Sequence, residues 1–236
     1  MSGHSKWSTI KRQKGVADAK RSQVFTKLAK AISVAARDGA DPGMNSRLRL
    51  SIDKAREHSM PKENIERAIQ KGSGTGDGAK LEEVRYEGYG PGGVAFLIEA
   101  VSDNRNRTGS QIRHLLEKAG GRLGEAGSVA WLFETKGVLQ LPLPENRDEL
   151  ELALIEAGAI DMREEENTLI ITCEPHAYEA VKAELAKRNL TTTYASVEPV
   201  AKTTTEVDEA TTAKLNEFRE TLDSDDDVTN FYDNAS

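Results

Sequence analysis

The chain has 236 residues, of which 37% are hydrophobic and 30% are charged, a balance typical of a globular protein and not of a disordered one. This length leaves room for two or three compact units. No apolar run approaches the roughly 20 residues that cross a bilayer, and the first residues are too polar for a secretory signal, so we expect a soluble, cytoplasmic protein without a membrane partner.

Charge is divided unevenly along the chain. Residues 1–71 carry 16 Lys+Arg and 7 Asp+Glu, a net charge of +9, whereas the remainder carries 16 basic and 32 acidic residues, a net charge of −16. A basic segment on an otherwise acidic protein is typical of binding to a phosphate backbone. The alternative is that these charges only solvate an exposed surface.

The N-terminal third is predicted to form three helices. Apolar residues recur at spacings of three and four within 18–38, and Gly39 ends this helix. Asn45 is the expected N-cap of a second helix, and Pro61 lies at the start of a third. The glycine-rich run 72–78 ends the third helix and predicts a flexible linker, because nothing in it can pack.

The pattern after the linker predicts a small α+β domain. Strands are expected at 84–89, 94–101 and 128–133, with a helix at about 108–119. Residues 88–93 match the glycine spacing of a dinucleotide-binding loop, but a strand follows them instead of the helix that such a loop needs. The glycines therefore indicate a hairpin turn with positive φ angles.

The last third is predicted to contain a second α+β unit and a final helix. Strands and helices alternate over 138–198 in the order βαββαβ, which is the ferredoxin-like arrangement. A helix at about 208–222 is followed by an acidic patch, Asp223 with 225–227. This end of the chain has two interpretations: a solvated acidic tail, or a strand that contains Val228 and returns to the central sheet.

The sequence contains no recognisable catalytic or metal-binding motif. Cys173 is the single cysteine, so no internal disulfide can form, and Cys173 with His176 supplies too few ligands for a structural zinc. No nucleophile elbow, phosphate-loop lysine motif or zinc-protease motif occurs. We therefore expect a non-enzymatic protein that has no cofactor, no metal and no small-molecule substrate.

The candidate nucleic-acid-binding residues form two basic clusters. Lysine and arginine neutralise phosphates, and an indole stacks on an unpaired base, a combination typical of surfaces that bind RNA or single strands. The alternative role for the tryptophan is a hydrophobic anchor on the helical domain. The first cluster consists of His4, Lys6, Trp7, Lys11, Arg12, Lys14, Lys20 and Arg21.

The second cluster, Arg105, Arg107 and Arg113, lies at the start of the helix predicted at 108–119. Arginine side chains beside a helix N-terminus suit phosphate, because the guanidinium groups and the free backbone N–H groups point the same way. The alternative is that these arginines form salt bridges with the acidic remainder of the protein.

Eight motifs stand out along the chain: GHSKW at 3–7, DAKR at 18–21, FTKL at 25–28, MPKENIERAI at 60–69, YEGYGPGG at 86–93, DNRNRT at 103–108, GGRLG at 120–124 and GSVAW at 127–131. Together they resemble the YebC/PmpR family, which includes the mitochondrial translational activator of cytochrome oxidase. The resemblance implies an α+β fold of three domains: a helical bundle with a mobile N-terminal tail at 1–75, a central α+β domain at 80–135 plus 207–236, and an inserted ferredoxin-like domain at 136–206.

The resemblance also implies a regulator of gene expression. Some family members are named probable transcriptional regulators that bind DNA, and others look like ribosome-associated translation factors, which bind rRNA or tRNA. The expected partner is therefore nucleic acid, either DNA or ribosomal RNA on the ribosome. A third alternative is a protein-interaction adaptor that uses the acidic ferredoxin-like domain.

Overall fold

The computed structural model of the protein describes residues 18–74, 81–144, 147–165 and 167–236, without the side chains of 18–21 and 148. Helices combine with two four-stranded sheets whose strands pair antiparallel, which confirms the α+β class. One compact unit extends to Leu132 and resumes at Thr203–Ser236, and the other spans Phe133–Lys202. The finer division into three domains stays a prediction.

The elements follow the predicted order with two exceptions: the strand expected at 128–133, and a short strand at Arg122–Leu123 that was not predicted. The α-helices of the described residues are α1 (Asp18–Ala35), α2 (Ser46–Glu57), α3 (Lys62–Gly72), α4 (Arg105–Lys118), α5 (Asp148–Glu156), α6 (Tyr178–Lys187) and α7 (Glu209–Ser224). The strands are β1 (Glu82–Tyr89), β2 (Ala95–Ser102), β3 (Arg122–Leu123), β4 (Phe133–Pro142), β5 (Ala159–Glu165), β6 (Thr168–Cys173), β7 (Tyr194–Ala201) and β8 (Val228–Asp233).

Helices α1, α2 and α3 pack around a small apolar core in which Ile32 and Leu48 are fully buried. The predicted N-cap is confirmed, because the Asn45 side chain accepts the Leu48 N–H at 3.0 Å. The same side chain donates to the carbonyl of Ala35 at 2.7 Å, so it also fixes the end of α1. A Cβ on Gly72 would lie 2.0 Å from a backbone oxygen of α1, so glycine permits the close approach of α3.

The sheet of the first unit has the order β3-β1-β2-β8. The β1–β2 hairpin turns at residues 90–93, where Gly92 and Gly93 have φ angles of +69° and +77°, as the hairpin interpretation predicted. Helices α4 and α7 bury one face of the sheet, with Phe96 and Phe218 in edge-to-face contact at 5.0 Å. Strand β8 pairs with β2, so the end of the chain returns to the sheet and is not a solvated tail.

The strand predicted at 128–133 is wrong, because residues 130–132 form a 3-10 turn. The buried Glu87 carboxylate of β1 accepts the backbone N–H groups of Gly127, Val129 and Ala130 at 2.7 to 2.8 Å. Burial alone would raise the pKa of Glu87, but the three hydrogen bonds lower it below its usual value. These N–H groups therefore bind a side chain and are not free to pair with a strand.

The second unit has the predicted ferredoxin-like arrangement. Its sheet has the order β5-β6-β4-β7, which places the first and third strands of the βαββαβ unit side by side in the centre. Helices α5 and α6 cover one face, and Leu139, Leu154, Ile171, Val181 and Leu185 lie in the core between them and the sheet. The predicted arrangement of this unit is therefore confirmed.

Asp227, just before β8, joins three segments of the first unit. Its carboxylate accepts hydrogen bonds from Lys30 of α1 at 2.6 Å, from Arg107 of α4 at 3.0 Å and from the Thr108 hydroxyl at 2.7 Å. Burial alone would raise the pKa of Asp227, but these bonds outweigh burial and lower its pKa to about 2. The ionised carboxylate therefore stabilises the folded state.

We expect Asp227→Asn to lower the free energy of unfolding and to reduce its dependence on pH. A carboxyl pKa of about 2 in the folded state, against an ordinary 3.8, contributes about 2 kcal/mol that is present above pH 3.8 and is lost as pH falls through 2. Urea unfolding between pH 6 and pH 2 measures this contribution. Asp226→Asn, at an exposed neighbour, is the control and should keep the wild-type profile; a matching loss there would contradict the assignment.

We expect Glu87→Gln to lower the free energy of unfolding by about 1–3 kcal/mol, because the amide replaces a buried anion that satisfies three backbone N–H groups. Thermal or urea unfolding measures the loss. Glu125→Gln changes an exposed carboxylate in the same loop and should stay within about 0.5 kcal/mol of wild type. Equal stabilities for the two variants would show that Glu87 does not hold the turn.

Candidate nucleic-acid interface

The first basic cluster lies largely outside the described residues. Lys20 and Arg21 belong to the first turn of α1, but their side chains lie outside the described part. The six other members also lie outside it: His4, Lys6, Trp7, Lys11, Arg12 and Lys14. The nucleic-acid-binding role of this cluster stays a prediction.

The second basic cluster lies at the start of α4, which begins three residues earlier than predicted. The Asn104 side chain accepts the Arg107 N–H at 3.1 Å and so caps the helix ahead of Arg105. The sequence signal for this cap was present, because asparagine is a preferred N-cap residue. Arg105 and Arg107 therefore belong to the first turn of the helix.

Arg107 is occupied by carboxylates of the protein itself. Its guanidinium donates to Asp103 at 2.8 Å and to Asp227 at 3.0 Å, and it lies 3.4 Å from the Ser102 hydroxyl. The hydrogen bonds to Asp227 and Asp103 raise the pKa of Arg107. These contacts correspond to the salt-bridging alternative for this cluster, so they favour a structural role for Arg107.

Arg105 and Arg113 are exposed and form no salt bridge within the described residues. The Arg105 carbonyl accepts the Tyr86 hydroxyl at 3.0 Å, which fixes the backbone at the start of α4 and leaves the guanidinium free of that contact. The two arginines lie eight positions apart, or about 12 Å along the helix axis. This separation is compatible with contacts to two non-adjacent phosphates of a nucleic-acid strand.

Two lysines that contribute to the basic charge of the N-terminal third are bound to the acidic patch near the end of the chain. Lys27 donates to the Asp223 carbonyl at 2.6 Å, and Lys30 donates to the Asp226 carbonyl at 2.7 Å and to the Asp227 carboxylate at 2.6 Å. Their side chains are only 14% and 17% exposed, so they are poorly available to phosphate. The net charge of +9 therefore overstates the basic surface.

Two exposed cations that were not among the predicted site residues lie on α3. Arg67 and Lys71 lie four positions apart on α3, a spacing that puts them on the same side of the helix. Neither forms a salt bridge within the part of the chain that the structure describes. Their helical spacing was visible in the sequence, but only the packing of α3 shows that this side faces solvent.

The described residues offer little for other kinds of site. Among them, no group of three or more His, Cys, Asp or Glu side chains could hold a metal ion. Burial raises the pKa of the Cys173 thiol, which makes it a poor nucleophile. No helix within the described ranges is both long enough and apolar enough to cross a bilayer.

Comparison with known proteins identifies the family. Residues 5–75 match the TACO1/YebC protein N-terminal domain, and residues 81–235 match the TACO1/YebC second and third domain. The chain belongs to the TACO1/YebC family. The resemblance that the sequence motifs indicated is thereby confirmed for both the helical segment and the remainder of this TACO1/YebC protein.

Individual TACO1/YebC relatives are similar over nearly the whole chain. A probable transcriptional regulatory protein of Desulforamulus reducens is 45% identical, covering 99% of this chain and 98% of that protein. A protein of the same name from Desulfatibacillum aliphaticivorans is 48% identical, covering 100% and 96%. The crystal structure of a conserved hypothetical protein from Aquifex aeolicus has a TM-score of 0.85 at 42% identity, covering 98% and 97% of the two chains.

For the TACO1/YebC protein we expect Arg105 and Arg107 to respond differently to substitution. The double variant Arg105→Ala, Arg113→Ala should keep the melting temperature of the wild type. Its slope of log affinity against log salt should become shallower by about one for each arginine lost. Arg107→Ala should lower the melting temperature, because Asp227 loses a partner. Thermal unfolding and binding titrations over a salt series separate the two effects, and the reverse result would reassign the residues.

Proposed function

We propose that this TACO1/YebC protein is a non-enzymatic, cytoplasmic regulator of gene expression that binds nucleic acid through its basic N-terminal segment. The observation that carries the proposal is the composition of residues 1–17, which contain four Lys+Arg and no Asp or Glu. Such a stretch attracts a phosphate backbone, because each cation that neutralises a phosphate releases a counterion. The relatives named probable transcriptional regulatory proteins support this class of function.

The charges of the described residues support the same segment as the main contact. Lys27, Lys30 and Arg107 are engaged with carboxylates or carbonyl groups inside the first unit. Arg105 and Arg113 remain exposed on α4 and would supply secondary contacts. The proposed contacts are thus the cations before α1 and those exposed on α4, with Arg67 and Lys71 as further exposed cations on α3, and the acidic remainder limits non-specific adhesion elsewhere.

Binding of RNA on the ribosome is a second candidate, and the position of Trp7 favours it. An indole among cations suits a strand whose bases are unpaired, because a base in a duplex is already stacked. Sequence-specific reading of duplex DNA needs side chains that reach base edges in a groove, and α1 to α3 show no evident recognition helix. The two candidate functions therefore differ in the nucleic acid that is bound: duplex DNA for a transcriptional regulator, and RNA with unpaired bases for a translation factor.

We expect the quadruple variant Lys6→Ala, Lys11→Ala, Arg12→Ala, Lys14→Ala to lose most nucleic-acid binding. For duplex DNA, the slope of log affinity against log salt should become shallower by about 3 to 4, since each phosphate neutralised contributes about 0.9. Fluorescence anisotropy with labelled duplex and single-stranded probes over a salt series measures both quantities. Unchanged affinity would refute the role of this segment.

The matched control removes the same number of charges from exposed positions outside the proposed interface: Arg56→Ala, Lys62→Ala, Lys187→Ala and Lys214→Ala. This control should bind nearly as well as wild type, which excludes a general effect of net charge. Sedimentation of both variants with ribosomes of the host, over the same salt series, then separates the two candidates. Ribosome association that survives moderate salt, with weak DNA binding, indicates a translation factor; selective DNA binding without it indicates a transcriptional regulator.

A further inference from the structure

A cluster of two aromatic side chains and one cation lies at strands β1 and β3 of the first unit and contains none of the basic residues described above. The Trp131 indole is 64% exposed, which is unusual for so large an apolar side chain. Its Nε1–H donates to the Ser128 carbonyl at 3.1 Å, and the Tyr89 hydroxyl donates to the same oxygen at 3.1 Å. The shared acceptor places the two aromatic side chains next to each other.

Arg122 completes the cluster from the neighbouring strand. It is the cross-strand partner of Tyr89, and its guanidinium carbon lies 5.0 Å from the centre of the Tyr89 ring. A Cβ on Gly121 would lie 2.1 Å from the Tyr89 carbonyl oxygen, so glycine is needed to bring β3 this close to β1. Arg122 is exposed and forms no salt bridge within the described ranges, so its N–H groups remain available to an anion.

Hydrogen bonds within the protein fix the backbone that carries Trp131, so this position does not depend on a bound ligand. Glu87, which lies two residues from Tyr89 and so on the same face of β1, accepts hydrogen bonds from the backbone N–H groups of residues 127, 129 and 130. The negative charge of Glu87 is compensated by these three groups and by nearby Arg85, which reduces its repulsion of a phosphate. An indole fixed at the surface loses little conformational freedom on binding.

We propose that Trp131, Tyr89 and Arg122 form a stacking site for an unpaired base of a single-stranded nucleic acid, with Arg122 contacting the adjacent phosphate. Indole and phenol rings stack on any base, and an arginine beside them adds the charge that a strand requires. A duplex offers no free base face. This inference rests on the proposed function and deepens it, because it names the form of nucleic acid that is bound.

A protein partner fits this cluster less well. Aromatic anchors in protein interfaces lie within a packed, largely apolar centre. Trp131 is the one exposed large apolar side chain of residues 120–132, all of which the structure describes. The indole therefore has no exposed large apolar neighbour in its own segment, which favours a base and its phosphate over an apolar protein surface.

The test uses the full-length Trp7→Phe variant, in which Trp131 is the single tryptophan and a stacking ring is kept at position 7. A 12-nucleotide oligouridine should quench the Trp131 fluorescence in a saturable manner, and a duplex of equal total charge should quench it much less. An oligothymidine strand tests whether RNA and DNA are distinguished. In this background Trp131→Ala should weaken single-strand binding about 5-fold or more in anisotropy titrations, and Trp131→Phe should recover most of it.

The outcomes separate this site from the proposed function. Strand binding by anisotropy without a change in Trp131 fluorescence, or equal quenching by the duplex, would overturn the stacking site and leave nucleic-acid binding intact. Fluorescence that changes with protein concentration but not with oligonucleotide would indicate a protein contact and would also overturn it. Absence of binding to every probe at low salt would refute the proposed function itself. Melting curves for Trp131→Ala and Arg122→Ala show that a loss of binding is not a loss of fold.

Discussion

The first unit depends on an anion that is kept ionised inside it. Asp227 receives Lys30 from α1 and Arg107 from α4, so one carboxylate connects the helical segment, the central helix and the last strand. A buried charge that loses a partner is costly, because the remaining groups stay desolvated without compensation. The acidic patch near the end of the chain therefore forms hydrogen bonds and salt bridges that stabilise the first unit, although its composition resembles that of a solvated tail.

These contacts also determine which cations remain available to bind a nucleic acid. Lys27 and Lys30 lie in the basic third of the chain, yet both are directed at the acidic patch. Arg107 shares its helix with Arg105 and Arg113, yet it alone is held by two carboxylates. The basic surface is consequently smaller and more localised than a count of charges along the chain indicates, and this localisation favours a defined interface over diffuse attraction.

A second buried carboxylate, Glu87, holds the turn that carries Trp131. Glu87 accepts hydrogen bonds from the backbone N–H groups of residues 127, 129 and 130, and Trp131 at the end of this turn is exposed beside Tyr89 and Arg122. The two anions act in a similar way, because each satisfies several donors that are distant from it along the chain. One holds helices against a sheet, and the other holds the aromatic side chains for which we propose a base-stacking role.

The sequence by itself determined the features that depend on neighbouring residues: the helical periodicities, the cap at Asn45, the turn at 90–93, the ferredoxin-like order and the family. The tertiary structure alone decided which charged groups meet. Lys30 and Asp227 are 197 positions apart. The three N–H groups at 127, 129 and 130, where a strand was predicted from 128 to 133, bind the carboxylate of Glu87 about 40 positions earlier. Local propensity acts over a few residues, whereas a hydrogen bond across the fold forms only after the chain has packed, so no pattern along the sequence could reveal it.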